Sequence, residues 1–139
     1  MKVKPSKAII IILVTLLLSL ILQYLIIPIS RPDNAVRSYV LHKIPINTSW
    51  DETVSIIDSE RWKIVSTHDS GLRINYQARH VDFDFQHGAN KGELVGVTSM
   101  EVKLGEFYSP FHTAVFAYIA FDENDKLTEV YIHREIDAT

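Results

Sequence analysis

The chain has 139 residues, a formal net charge of −3 and no cysteine, which allows one modest domain and excludes a disulfide scaffold, a thiolate nucleophile, a thiolate metal site and a lipid-bearing N-terminal cysteine. Charge is unevenly spread: residues 1–7 carry three lysines and no acid, whereas the chain from residue 30 onward carries all 17 acidic residues and 11 of the 14 basic ones, a formal charge of −6. A domain of that sign is not expected to bind nucleic acid, because phosphate contacts need clustered Lys and Arg, and any electrostatically chosen partner should be basic.

Residues 8–29 read AIIIILVTLLLSLILQYLIIPI, uncharged, with Thr15, Ser19 and Gln23 as the polar interruptions. At 1.5 Å per residue, the roughly 20 residues before Pro28 span about 30 Å, the thickness of a bilayer's hydrocarbon. Lys2, Lys4 and Lys7 resemble the basic region of a signal peptide. The apolar run is nonetheless longer than the usual 7–15 residues or so, and Ile27-Pro28-Ile29-Ser30 places isoleucines where a cleavage site needs small side chains. The sequence therefore predicts an uncleaved signal anchor in the inner or plasma membrane, with residues 1–7 cytoplasmic and residues 30–139 extracytoplasmic. Thr15, Ser19 and Gln23 recur every fourth residue and would line one helix face suited to a partner helix.

Asp33-Asn34 can cap a short helix through Ala35, Val36, Tyr39, Val40 and Leu41, ended by Pro45. Ser49-Trp50-Asp51-Glu52 matches a capping box and opens a second helix, with Val54, Ile57 and Thr53 or Ile56 facing the core. From Arg61 the period becomes two. Trp62 and Ile64, then Leu72, Ile74, Tyr76 and Ala78 after the Asp69-Ser70-Gly71 turn, alternate with polar residues. Val81, Phe83 and Phe85 alternate with His80, Asp82, Asp84 and Gln86, and Gly88 to Gly92 reads as a loop. Met100, Val102 and Leu104 alternate again, and Thr113–Phe121 is apolar on both faces, the pattern of a central strand covered by helices on one side. Asp122-Glu123-Asn124-Asp125-Lys126 turns the chain into a last strand, Leu127 to Ile136. The expected class is α+β: a transmembrane helix, then two short helices packed on an antiparallel β-meander.

Candidate chemistry is sparse. On a strand, His80, Asp82 and Asp84 share one face and suit zinc or manganese by ligand type, but any half-buried strand also needs a polar face, and no metal or cofactor is expected. Ser109-Pro110 with His112 reads as turn chemistry, no framed serine motif is present, and the five glycines are too dispersed for a phosphate cradle. Catalysis is not expected. Two clusters suit protein binding: the aromatic turn of Phe107, Tyr108 and Phe111, which can equally plug the open end of the sheet, and the acidic turn of Asp122, Glu123 and Asp125, otherwise a solvated hairpin tip.

Pro45-Ile46-Asn47-Thr48-Ser49-Trp50-Asp51-Glu52 and Phe121-Asp122-Glu123-Asn124-Asp125-Lys126-Leu127 resemble the helix entry and final hairpin of the BamE/SmpA family of small envelope proteins and its BLIP-like relatives. Asn47 stands where the family has glycine, acceptable because Asn tolerates positive φ. The resemblance covers residues 45–60 and 97–136. It implies the α+β fold and an extracytoplasmic protein-binding habit, in which members of the outer-membrane assembly machine carry a lipid on a cysteine absent here. The expected function is a non-catalytic, membrane-anchored module that binds another envelope protein as an accessory or assembly factor. The alternatives are an immunity protein or inhibitor of an envelope-acting toxin or hydrolase, and a metal-dependent enzyme using His80, Asp82 and Asp84.

Overall fold

A computed structural model describes residues 6–76, 80–83, 92–108 and 110–137, with residues 80–83 described as backbone. Helix α1 (Lys7–Ile26) is long and apolar enough to cross a membrane, and none of its residues is buried by the rest of the chain. A 3-10 turn (Pro28–Ser30) follows, then α2 (Asp33–Lys43) and α3 (Trp50–Ser59). The strands are β1 (Lys63–His68), β2 (Leu72–Asn75), β3 (His80–Phe83), β4 (Glu93–Val95), β5 (Thr98–Tyr108), β6 (His112–Phe121) and β7 (Leu127–Asp137). The protein is α+β, with three helices and antiparallel sheets.

The helix boundaries follow from local chemistry. Ser49 caps α3, its hydroxyl accepting the Glu52 backbone N–H at 3.3 Å, and the same turn places Thr53 and Ile57 in the core. Asn47 adopts φ 71°, the conformation that glycine would otherwise supply. At the far end of α3, Arg61 takes φ 59°, and the N–H groups of Trp62 and Arg61 satisfy the carbonyls of Ile57 and Asp58 at 3.0 Å each, a Schellman closure. For α2 the expected cap differs: Pro32 holds the N-cap position, the Asp33 carboxylate turns instead to Arg134, and Asn34 Oδ1 accepts from Ala35 N.

The expected single meander is incomplete. Strands β5, β6 and β7 do form one, but β1 pairs antiparallel with β5, giving a four-stranded sheet in the order β1-β5-β6-β7. Between β1 and β5 the chain builds a second, three-stranded sheet, β3-β2-β4. The helices cover one face of the main sheet: Val36, Val40, Ile44 and Ile57 pack with Met100, Val102, Val115, Ala117, Ile119, Phe121, Val130 and Ile132. On the other face Leu72 and Ile74 of the small sheet pack with Ala120, beside Val95, Tyr118 and Tyr131. Strand β6 is apolar on both faces because both faces are roofed, one by helices and one by strands. Ile29, placed in the membrane segment by the sequence reading, instead enters the domain core at 8% exposure.

Two glycines permit the return from the small sheet. A Cβ on Gly71 would sit 2.2 Å from the Gly96 carbonyl oxygen, and Gly96 itself has φ 74° with its own Cβ position 2.6 Å from the Phe121 oxygen. The next residue, Val97, donates its N–H to that same oxygen at 2.8 Å. Gly96→Ala therefore adds a left-handed backbone penalty and a clash with rigid main chain; a loss of about 2–3 kcal/mol is expected. Thermal or urea unfolding of the variant checks this, and an unchanged midpoint would show that the crossover can shift to admit a methyl group.

Candidate interaction surfaces

The two clusters singled out in the sequence lie at opposite ends of the domain. Phe107, Tyr108 and Phe111 flank the β5–β6 turn; Asp122, Glu123 and Asp125 form the β6–β7 turn. The ten residues of β6 separate them, about 30 Å at the rise of a strand, so they do not form one surface.

Within the first cluster the roles divide. Phe107 packs against the core beneath the Arg134 guanidinium, 5.7 Å from its ring centroid. Tyr108 and Phe111 remain 71% and 52% exposed and plug nothing. Behind them Glu106 accepts from Lys103 and lies 2.9 Å from His112 Nε2. Hydrogen bonds from Lys103 and then His112 lower the Glu106 carboxyl to about 2. In the second cluster Asp122 is a turn builder, its Oδ1 accepting the N–H groups of Asn124 at 2.8 Å and Lys126 at 3.0 Å. Asp125 takes φ 56° and gives its carbonyl to Trp50 N. Glu123 is exposed; with Glu93 and Asp122 it rims a cleft of about 390 Å³ that also holds Leu94 and Val97, 48% and 50% exposed.

His80 and Asp82 lie in β3, opposite Asn75 and Arg73 respectively; Asp84 lies outside the described residues, as do His87 and Ser109. Among the described residues no three His, Asp or Glu side chains gather as a metal site. Gln23 from the polar stripe on α1 is committed within the chain, its Nε2 donating to the Tyr108 carbonyl at 2.9 Å, and Thr15 bonds its own helix.

A serine–histidine–glutamate group escaped the sequence reading because its members come from different strands. Ser66 Oγ lies 3.0 Å from His68 Nε2 and 3.1 Å from Glu101 Oε2. A hydroxyl has one proton and a carboxylate can only accept. Ser66 therefore donates to Glu101, with His68 Nε2 beside the same hydroxyl. The group ties β1 to β5.

An open groove of about 870 Å³ was also invisible in the sequence. The outer side of β7, residues 129–134, forms its floor, the start of α2 (Asp33, Asn34, Arg37) one wall and Tyr76 another. Midway along it Arg37 Nε donates to the Val130 carbonyl at 3.0 Å and Arg37 Nη2 pairs with Glu129 at 2.5 Å, while Glu129 Oε1 accepts the Val130 N–H at 2.9 Å. The pair satisfies both main-chain groups of Val130, as a neighbouring strand would. This blunts an edge otherwise open to indiscriminate strand pairing.

Compared with family models, curated proteins and solved structures, the chain matches none.

Arg37→Ala should cost about 1 kcal/mol, since the pair is part-exposed but its loss leaves a main-chain carbonyl and a carboxylate without their donor. It should also increase concentration-dependent association through the uncovered edge; unfolding curves and light scattering read both, and no change in either would mean the pair does not guard β7. At the other end, the folded Glu106 carboxyl lies below its ordinary value of 4.5. Its stabilising contribution is complete above about 4.5 and is lost as pH falls through about 2. Carboxyl-detected NMR should find Glu106 titrating near 2, and higher in Lys103→Met, where His112 alone still lowers it; an ordinary value in the unaltered chain would remove the proposed cause.

Proposed function

We propose that this chain is a single-pass, N-in bacterial envelope protein whose extracytoplasmic domain binds another envelope protein without catalysis, as an accessory or assembly factor. The groove along β7 carries the reading. It opens beside Pro32 and Asp33, two and three residues after the turn that follows the apolar helix, so a partner held there would sit close to the membrane surface. With the main-chain groups of Val130 already taken, a partner segment would be held by side chains, with Tyr76 and Tyr131 as aromatic contacts. The resemblance to the BamE/SmpA family at residues 45–60 and 97–136 supports the same habit of protein binding.

The distal cleft favours a second reading. Glu93, Asp122 and Glu123 around exposed Leu94 and Val97 make an acidic, part-apolar rim pointing away from the anchor end, which would suit a basic toxin or hydrolase held by an immunity protein or inhibitor.

A photo-crosslinking residue placed singly at Tyr76, His133, Leu94 or Glu52 of the full-length protein in native membranes separates these. The first reading expects the same envelope protein joined from Tyr76 and His133 and absent from Leu94 and Glu52. A single basic partner from Leu94 alone would transfer the function to the distal cleft. Adducts of equal yield from all four positions, or from none, would sink both.

A further inference from the structure

The β5–β6 turn meets the apolar helix where a membrane surface would lie. Two ties fix this. Ile29 seats against β5 at Gly105, where a Cβ would come within 2.9 Å of Ile29 Cδ1. Three residues further along β5, the Tyr108 carbonyl accepts the Gln23 side-chain amide at 2.9 Å. From Gly105 to Tyr108 the strand thus runs back past the helix end, Ile26, to the level of Gln23. At 1.5 Å per residue that is about 4–5 Å inside the end of the helix.

The chemistry at that level is interfacial. Tyr108 is 71% exposed, Phe111 52% and, at the end of β7, Ile136 64%. Arg31 lies over the Tyr24 ring at 5.7 Å and bonds the carbonyls of Tyr24 and Leu25 at the close of the helix. Aromatic rings collect at the headgroup level and a cation at a helix end reaches toward phosphate. The Gln23 amide would be costly in hydrocarbon without a partner, and the Tyr108 carbonyl supplies one. Exposed rings and Ile136 beside a lipid-spanning helix have an occupant in reach: the bilayer surface itself, continuous with the lipid around α1.

We propose that the β5–β6 turn is a second membrane contact, with Tyr108 and Phe111 embedded at the headgroup–acyl boundary and Arg31 against the phosphates. This rests on the membrane-anchored reading of α1. With the single helix as its only contact the domain could rotate about the anchor axis; the turn fixes which way the β7 groove faces.

The cysteine-free chain allows one spin label at a time. Full-length protein carrying Phe111→Cys, Glu123→Cys or Leu13→Cys is reconstituted into phosphatidylethanolamine/phosphatidylglycerol vesicles, and collision with oxygen and with a water-soluble nickel chelate is measured. The expected result is a Phe111 label several-fold less accessible to nickel than the Glu123 label, yet shallower than the Leu13 label. A Phe111 label as wet as the Glu123 label, with Leu13 still in lipid, overturns the second contact and leaves the anchor standing. A wet Leu13 label overturns the anchor and the contact together. All three sites are exposed, so folding should survive; unfolding curves of the labelled proteins confirm that the comparison is of native chains.

Discussion

Strand β6 must be covered on both faces, and most of the architecture follows from that requirement. Its Val115, Ala117, Ile119 and Phe121 form the floor for α2 and α3, while Ala120 on the opposite face receives Leu72 and Ile74. A small domain with no disulfide can reach adequate burial by sandwiching its central strand in this way, each fully buried Val, Leu or Ile contributing about 1.5–3 kcal/mol. Ala120 on the second face leaves room for Leu72 and Ile74, and the Gly71–Gly96 contact lets the chain come back beneath it.

The edges of the main sheet are then left to be managed. At the far end of β7, Asn47 N–H meets the Leu127 carbonyl and Leu127 N–H meets the Thr48 carbonyl, each at 2.9 Å, so the loop before α3 covers the strand's start. In the middle the Arg37–Glu129 pair takes over. Toward the end nearest the apolar helix Arg134 reaches out, bonding the carbonyls of Ile29 and Arg31 and the carboxylate of Asp33. One strand thereby carries, in sequence, a loop pairing, a guarded groove and the fastening for the anchor segment.

Much of this was legible in the sequence where the signal is local. The Ser49 cap, Asn47 as a stand-in for glycine and the period-two run at residues 99–104 all reflect contacts within a few residues. Strand β6 also announced its double burial through its unbroken apolar run. Alternation, however, assigns faces and not partners, so it could not say that β2, β3 and β4 leave the meander to form their own sheet. Strand β4 has three residues between glycine-marked bends, too few to show a period. The groove and the Ser66–His68–Glu101 group join residues far apart in the chain, and Asp122 looked like a surface charge until its carboxylate was seen holding two backbone N–H groups. Phe107 and Tyr108 are neighbours with opposite fates, because successive strand residues point to opposite faces.

The fastening of α1 to β5 has a mechanical side. Gln23 and Ile29 bracket the helix end and both bind the same strand, so the junction is a weld and not a hinge. A helix whose apolar length exceeds the local bilayer thickness relieves the mismatch by tilting. Through a welded junction that tilt becomes a tilt of the whole domain. Over a height of about 30 Å, set by the length of β6, roughly 10° of tilt would swing the acidic distal turn by about 5 Å. With α1 in a bilayer as proposed, lipid thickness would act as a dial on where the β7 groove and the distal cleft point.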